Sequence, residues 1–442
     1  MKFNTIVLLN ALALFFLIVV LSSLLFAQWI EKPWYFANMM LNIILYNMVI
    51  VFVYNSKYSA SLKVLCCIIF FYTVFFVAFN NSLFFCNHGN FFAFGSDEAA
   101  YHSIAADISD QGFLRAHSAF PEKWDFDDKG FALLLSMLYF LIPSNLFLNF
   151  IYILLHIFTC IWIFKIGRSF LIKKNAIIST LIYGISSYAV YFMSSGLKET
   201  LMIFLIYASF FCYYIFLVNN RTKYLYISVA IASTLLFFRV PLFFFIIIAY
   251  AINFFFYFKK ISNKLIISLL SSVCVVLIFY YMSDYMEGYM RSIERIQNYA
   301  VATFSTDIDL KIILTTFLNG IFGPLPTLLP VDGKERMAIR EGALVLKGLL
   351  SGFFILGVYL AVKFKNKFVI PLAAFSCLEI FSLMYVLQTM DLRKSMPHIP
   401  MVILISFYAY QNFNYFKNRF IRKYSMATKF SWILLNHEHF SK

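Results

Sequence analysis

Between Phe94 and Gly130 the chain reads FGSDEAAYHSIAADISDQGFLRAHSAFPEKWDFDDKG, and this stretch gathers Asp97, Glu98, Asp107, Asp110, Glu122, Asp125, Asp127 and Asp128 in a protein otherwise poor in acids. Asp97 and Glu98 open a helical pattern, with Tyr101 and His102 one turn on. The i,i+4 spacing sets Asp97 beside Tyr101 and Glu98 beside His102. A carboxylate there, close to apolar surface, has the chemistry of a general base or of a ligand for a divalent cation such as Mg²⁺ or Mn²⁺. The same acids would also serve simply as caps that favour the helix dipole. A second acid, Glu199 in SSGLKET, stands at the end of an apolar run with Lys198 as its neighbour. Ionisable residues at the edge of such runs are functional candidates; solvation, or pairing with Lys198, is the simpler reading.

Cations complete the set. Arg239 in FFRVP is flanked by Phe237, Phe238 and Val240, a costly setting for a charge unless it snorkels or pairs. Arg393, Lys394 and His398 fall in DLRKSMPHIP before the last apolar run, and Arg291, with Arg295, Lys334, Arg336 and Arg340, makes a later segment basic. Guanidinium forks suit phosphate, and interfacial anchoring accounts for the same residues. His156 reads as a hydrogen-bonded packing residue, and Glu379, inside an apolar run, has no role that the sequence suggests.

The elements that must hold these residues are membrane helices. Of 442 residues, 62% are hydrophobic, 20% aromatic and only 13% charged, whereas a soluble domain has roughly 45–50% apolar and about 25% charged residues. Many runs reach the ~20 residues that cross a hydrocarbon core. Spans are expected at 5–27, 37–54, 63–80, 145–164, 176–194, 199–217, 223–239, 241–257, 264–282, 344–363, 368–387 and 398–413. The expected fold is an all-α polytopic membrane protein with about twelve transmembrane helices, the boundaries good to a few residues. Residues 130–142, stopped by Pro143, are apolar but short, and read as a membrane-surface or re-entrant helix. With that choice the clusters KIGRSFLIKK, NNRTK, FKKISNK, KFKNK and FKNRFIRK share the cytoplasmic side with both termini. The net charge of +15 then reports orientation, and carries no nucleic-acid inference.

Two long loops, 81–144 and 283–343, fall on the outer side, both carrying juxtamembrane helices. In the first, Ala100, Ile104 and Ile108 predict a helix from Asp97 to Asp110, with Ser96 as N-cap and Gly112 as its stop. The seven cysteines form neither a disulfide framework nor a CxxC pattern. No Walker A, GxGxxG, HExxH or GxSxG occurs, which argues against an ATP-driven pump or a dinucleotide enzyme. The N-terminal apolar run lacks a clear cleavage site and reads as a retained helix.

In order along the chain, GSDEAAYHSIAADI, KGFALLLSMLYFLIPSNLFLNF, IISTLIYGISSYAVYFMSSGLKETLMIFLIY and RKSMPHIPM together resemble the GT-C superfamily of integral-membrane glycosyltransferases, which includes the protein O-mannosyltransferases and the lipid A aminoarabinose transferase. The resemblance covers residues 90–220 best, and Lys198 beside the second acid departs from the family pattern. It implies that Asp97, with Glu98, is the catalytic base or metal-organising carboxylate and that Glu199 is the second acid. It also implies a polyprenyl-phosphate- or diphosphate-linked sugar donor, a glycan or lipid acceptor, and a site at the outer face of a bacterial inner membrane. The small size also looks similar to O-antigen and capsule repeat-unit polymerases. A flippase or transporter of lipid-linked sugars is the alternative from another class, though no internal repeat is seen; a non-catalytic scaffold is a third.

Overall fold

A computed structural model describes residues 58–88, 96–112, 126–141, 145–257, 336–387 and 395–413. Among the described residues every regular element is helical. The helices are α1 (Ala60–His88), α2 (Ser96–Gln111), α3 (Phe126–Leu141), α4 (Asn145–Gly167), α5 (Lys173–Gly184), α6 (Ser187–Ser194), α7 (Glu199–Asn219), α8 (Thr222–Ser233), α9 (Val240–Tyr257), α10 (Arg336–Lys363) and α11 (Ile370–Leu387), with a 3₁₀ turn at Thr234–Phe237 after α8. A last helix, α12, runs Ile399–Phe413. The expected spans 5–27, 37–54 and 264–282 and most of the loop 283–343 lie outside the described residues.

Among the described residues three stretches are long and apolar enough to cross a membrane: Ala60–Asn81, Phe147–Gly167 and Glu199–Asn219. The expected span 176–194 is a bent pair instead, α5 and α6 meeting at 44°, and counts as a fourth if the pair is one span. The break falls in YGISSY. Gly184 is a poor helix former, Ser186 turns extended (φ −68°, ψ 126°), and its hydroxyl donates to the Tyr183 carbonyl at 2.6 Å. The Gly184 carbonyl, loosened at the bend, lies 3.0 Å from His156 Nε2 on α4. His156 is thus the hydrogen-bonded packing residue that its apolar setting suggests. In the remaining apolar helices, among them α9 and α12, the apolar stretch that falls within the described residues is shorter, 10–17 residues.

Large apolar side chains point outward, including Phe79, Phe140, Phe255, Leu349 and Phe381, the surface expected of helices that meet hydrocarbon. Several polar groups are turned inward and paired with one another. Ser209 on α7, Ser228 on α8 and Tyr250 on α9 share a ring of hydroxyl contacts at 2.8–3.1 Å, and Asn253 donates to Tyr213 at 2.9 Å. Tyr213 and Tyr250 stack with ring centres 3.9 Å apart. Asn220, left-handed at φ 53°, closes the turn that folds α8 back along α7. Glu199 and the 3₁₀ turn leading to Arg239 therefore lie toward the same end of this helix pair.

At that end α2 packs against α3. Ile104, Ala105 and Ile108 of α2 are buried while Asp107 and Asp110 are exposed, the amphipathic division that the spacing predicts. Gly112 ends the helix with φ 86°. α3 in turn abuts the 3₁₀ turn, with no room at Gly130 for a side chain against the Phe237 carbonyl.

Candidate active site

Two segments distant in sequence meet where α2 lies against the turn between α6 and α7. Glu98, Tyr101 and His102 on α2 are buried, and so are Lys198 and Glu199 at the start of α7. Tyr101 is held edge-on against Phe131 of α3, ring centres 5.1 Å apart. Over its ring stands the ammonium of Lys198, 5.6 Å from the centroid. Among the described residues Lys198 is the one Lys or Arg side chain that is buried.

His102 ties three elements together. Its Nδ1 is hydrogen-bonded to the Tyr139 hydroxyl of α3. Its Nε2 faces Gly196, where an added Cβ would come within 2.6 Å. Gly196 also has φ 72°, a conformation that L residues other than Gly rarely take. The residue type and the neighbour both demand glycine, and the turn then delivers Lys198 and Glu199 into α7. Burial pushes the His102 imidazole down to about 3, so it is neutral at ordinary pH, and the Tyr139 hydroxyl is pushed up by the same cause. Tyr152 of α4, fully buried, lies within electrostatic reach of both Glu199 and Tyr139.

Of the residues singled out in the sequence, the fold thus joins Glu98, Tyr101, His102 and Glu199. Asp97 lies in the first turn of α2, and its side chain is outside the described residues. Arg239 follows the 3₁₀ turn, half-buried, with its amide donating to the Leu235 carbonyl at 2.7 Å; the turn itself abuts α3, where Phe237 meets Gly130. Arg291, Arg393 and Lys394 lie outside the described residues. His398 is not part of this cluster but pairs with Glu379. Sequence reasoning missed Tyr139, Tyr152 and Gly196, which stand in apolar or turn-like surroundings with no distinguishing pattern. Lys198 was visible only as the neighbour of Glu199.

Among the described residues no group of three or more His, Cys, Asp or Glu side chains is placed to hold a metal ion. Nδ1 of His102 is engaged by Tyr139, and the side chain of Asp97, one of the two acids expected to hold a divalent ion, lies outside the described residues. Chemically the cluster offers buried carboxylates beside a buried ammonium, walled by aromatic rings and a neutral imidazole. That combination can accept a proton and stabilise an anion.

No protein-family model matches the chain, and no curated protein is significantly similar to it.

Proposed function

We propose that this chain is a membrane-integral glycosyltransferase of GT-C type, with about twelve spans, acting at the outer face of a bacterial inner membrane. Its donor is a polyprenyl-phosphate- or diphosphate-linked sugar, its acceptor a glycan or lipid, and its product a surface polysaccharide or glycolipid. The observation that carries this reading is the convergence of the α2 acid segment with the Lys198–Glu199 turn. In the reaction the acceptor hydroxyl oxygen bonds to the anomeric carbon. The carbon–oxygen bond to phosphate breaks, its electron pair leaving with the phosphate. The acceptor proton passes to a carboxylate of the set Asp97, Glu98 and Glu199. Lys198, with Arg239 and the arginines Arg291 and Arg393, balances the charge of the departing phosphate. A polyprenyl chain lies in lipid while its head group reaches the cluster at the ends of the helices, which suits a site on juxtamembrane elements.

Repeat-unit polymerisation is the same chemistry with an oligosaccharide donor. Transport of a lipid-linked oligosaccharide is the reading from another class, favoured by one observation: Glu379 and His398 form an ionisable pair inside the bundle.

The test is complementation of a strain lacking the protein with Asp97→Asn, Lys198→Met, Glu199→Gln and Arg239→Ala, at matched protein levels, followed by gel analysis of the surface glycan. Loss of transfer with Glu199→Gln and Lys198→Met supports the enzyme. A wild-type glycan from all four variants sinks it. Single unpolymerised repeats in the null strain identify a polymerase, and a missing decoration identifies a monosaccharide transferase.

A further inference from the structure

At the end of α7 far from Glu199, two lysines frame a row of aromatic rings. At 1.5 Å rise per residue, Tyr214 stands about 22 Å along the helix from Glu199. Lys165 lies in the last turn of α4. Its ammonium is 5.0 Å from the centre of the Tyr58 ring and 5.2 Å from that of Phe211 on α7. From there the rings run on. Trp162 stacks beside Phe211 with centres 6.1 Å apart, Phe211 lies 6.2 Å from Tyr214, and Tyr214 lies 5.6 Å from Phe368, just before α11. The ammonium of Lys367 stands 5.1 Å from the centre of the Phe368 ring. Both lysines belong to one surface: Ile166 and Phe368, the residues that follow them, line a single apolar recess with Tyr214, Leu217 and Pro371.

The backbone presents Lys367 on a fixed turn. Lys365 is left-handed at φ 50°, the Asn366 amide donates to the Ala361 carbonyl at 3.0 Å, and the Asn366 side chain accepts from the Phe368 amide at 3.1 Å. The Lys367 ammonium then donates to the Leu217 carbonyl at 3.0 Å. That carbonyl is among the last of α7, which have no partner in their own helix, and a cation suits this pole of the helix dipole.

Lys165 is held differently. Snorkelling alone would carry a lysine past the rings to water, whereas Lys165 is half-buried between two of them. Ring faces attract a cation but leave its three N–H donors for an oxygen acceptor. Beside it Trp162, Phe211, Tyr214 and Phe368 are half-buried and offer apolar area. Aromatic rings with lysines at the end of membrane-crossing helices meet a lipid's chain and its phosphate together. A soluble anion would use the lysines and leave the rings in water. A zwitterionic lipid would cover the rings but bring its own cation toward the lysines. An anionic lipid satisfies both.

We propose that this α4–α7–α11 face binds an anionic diacyl phospholipid. Its phosphate sits on the Lys165 ammonium and its chain lies along Phe211, Tyr214 and Phe368, while Lys367 adds to the positive field at the far end of the row. The site stands on its own geometry and does not depend on glycosyl transfer.

The experiment is native mass spectrometry of the full chain, released from detergent after titration with dioleoyl phosphatidylglycerol or dioleoyl phosphatidylcholine, with glycerol phosphate as soluble competitor. The wild type is expected to bind the first phosphatidylglycerol roughly 5-fold tighter than phosphatidylcholine, the share of one lysine at a membrane surface, and glycerol phosphate is expected not to displace it. Lys165→Gln removes most of that preference, Lys367→Gln lowers it by less, and Lys165→Arg keeps it. Lys173→Gln, which loses the same charge from an exposed position at the start of α5, leaves it unchanged. Because a substituted bundle can fail to fold, chain-brominated forms of the two lipids are also compared as quenchers of tryptophan fluorescence in the wild type. The phosphatidylglycerol form is expected to quench more, and Trp162→Phe to remove the difference. Equal affinity for the two lipids overturns the proposal, as does displacement by glycerol phosphate, an effect of Lys165→Gln no larger than that of Lys173→Gln, or a quenching difference that survives Trp162→Phe.

Discussion

Lys198 and Tyr101 come from segments nearly a hundred residues apart, yet the ammonium of one stands on the ring face of the other, 5.6 Å from its centre. The contact joins the acid-bearing helix α2 to the first turn of α7, and it helps orient the buried ammonium. A cation–π contact of this kind contributes about 0.5–2 kcal/mol. Tyr101→Phe keeps the ring and is expected to retain transfer. Tyr101→Leu is expected to lose roughly 2- to 30-fold, the same energy expressed as a rate. The assay is transfer from a polyprenyl-linked donor in membranes, at equal protein levels.

Gly196 carries two constraints that substitutions can separate. Gly196→Ala meets both the left-handed backbone, worth about 1–2 kcal/mol, and the His102 imidazole at 2.6 Å. Gly196→Asn relieves part of the first, since Asn tolerates φ > 0, but not the second. The expected order of thermal midpoints in detergent is wild type, then Asn, then Ala. Adding His102→Ala to Gly196→Ala is expected to recover part of the loss; no recovery would show that the backbone strain alone matters.

The His102 imidazole, with an ordinary value of 6.5, is pushed down to about 3 by burial. Below pH 6.5 the unfolded chain takes up a proton that the folded chain refuses. Stability from this group is therefore complete above 6.5 and falls as the pH is lowered toward 3, by an amount on the order of a few kcal/mol across the whole window. Melting curves of the wild type and of His102→Gln are expected to converge as pH falls, because the variant lacks this slope. Parallel curves would remove His102 from the pH dependence.

Gly130 lets α3 lie directly on the 3₁₀ turn. An alanine there would put Cβ 1.9 Å from the Phe237 carbonyl oxygen. Backbone does not yield as a side-chain tip does, so α3 must back away. Overpacking of this sort costs about 1–3 kcal/mol. Gly130→Ala is expected to lower the thermal midpoint and to raise proteolytic cleavage in the α2–α3 region, whereas Gly352→Ala, which meets open space, is expected to do neither.

The helices long and apolar enough to span are legible in the sequence because apolar run length alone decides them, and the stretches Ala60–Asn81, Phe147–Gly167 and Glu199–Asn219 fall within a few residues of their expected places. The break between α5 and α6 was not legible. Apolar residues continue on both sides of YGISSY, so hydropathy sees one span where backbone geometry makes two pieces. The site was half legible. Glu98, Tyr101, His102 and Glu199 stand out as polar residues in an apolar chain. Tyr139 and Gly196 matter only through contacts with His102, which no local pattern records. Glu379 had no visible role, and His398 read as an interfacial anchor, because each explains the other only once α11 and α12 are side by side.

The bend between α5 and α6 is also a property of α4. A carbonyl released from its own helix inside a hydrocarbon-facing bundle must find a donor, and the Gly184 oxygen finds one in the ring of His156, 3.0 Å away. The helix is broken and splinted at once, and the splint belongs to a neighbour. The direction in which α6 leaves the break sets where the Gly196–Glu199 turn arrives, so a side chain deep in α4 governs the aim of the site at the far end of the next helix.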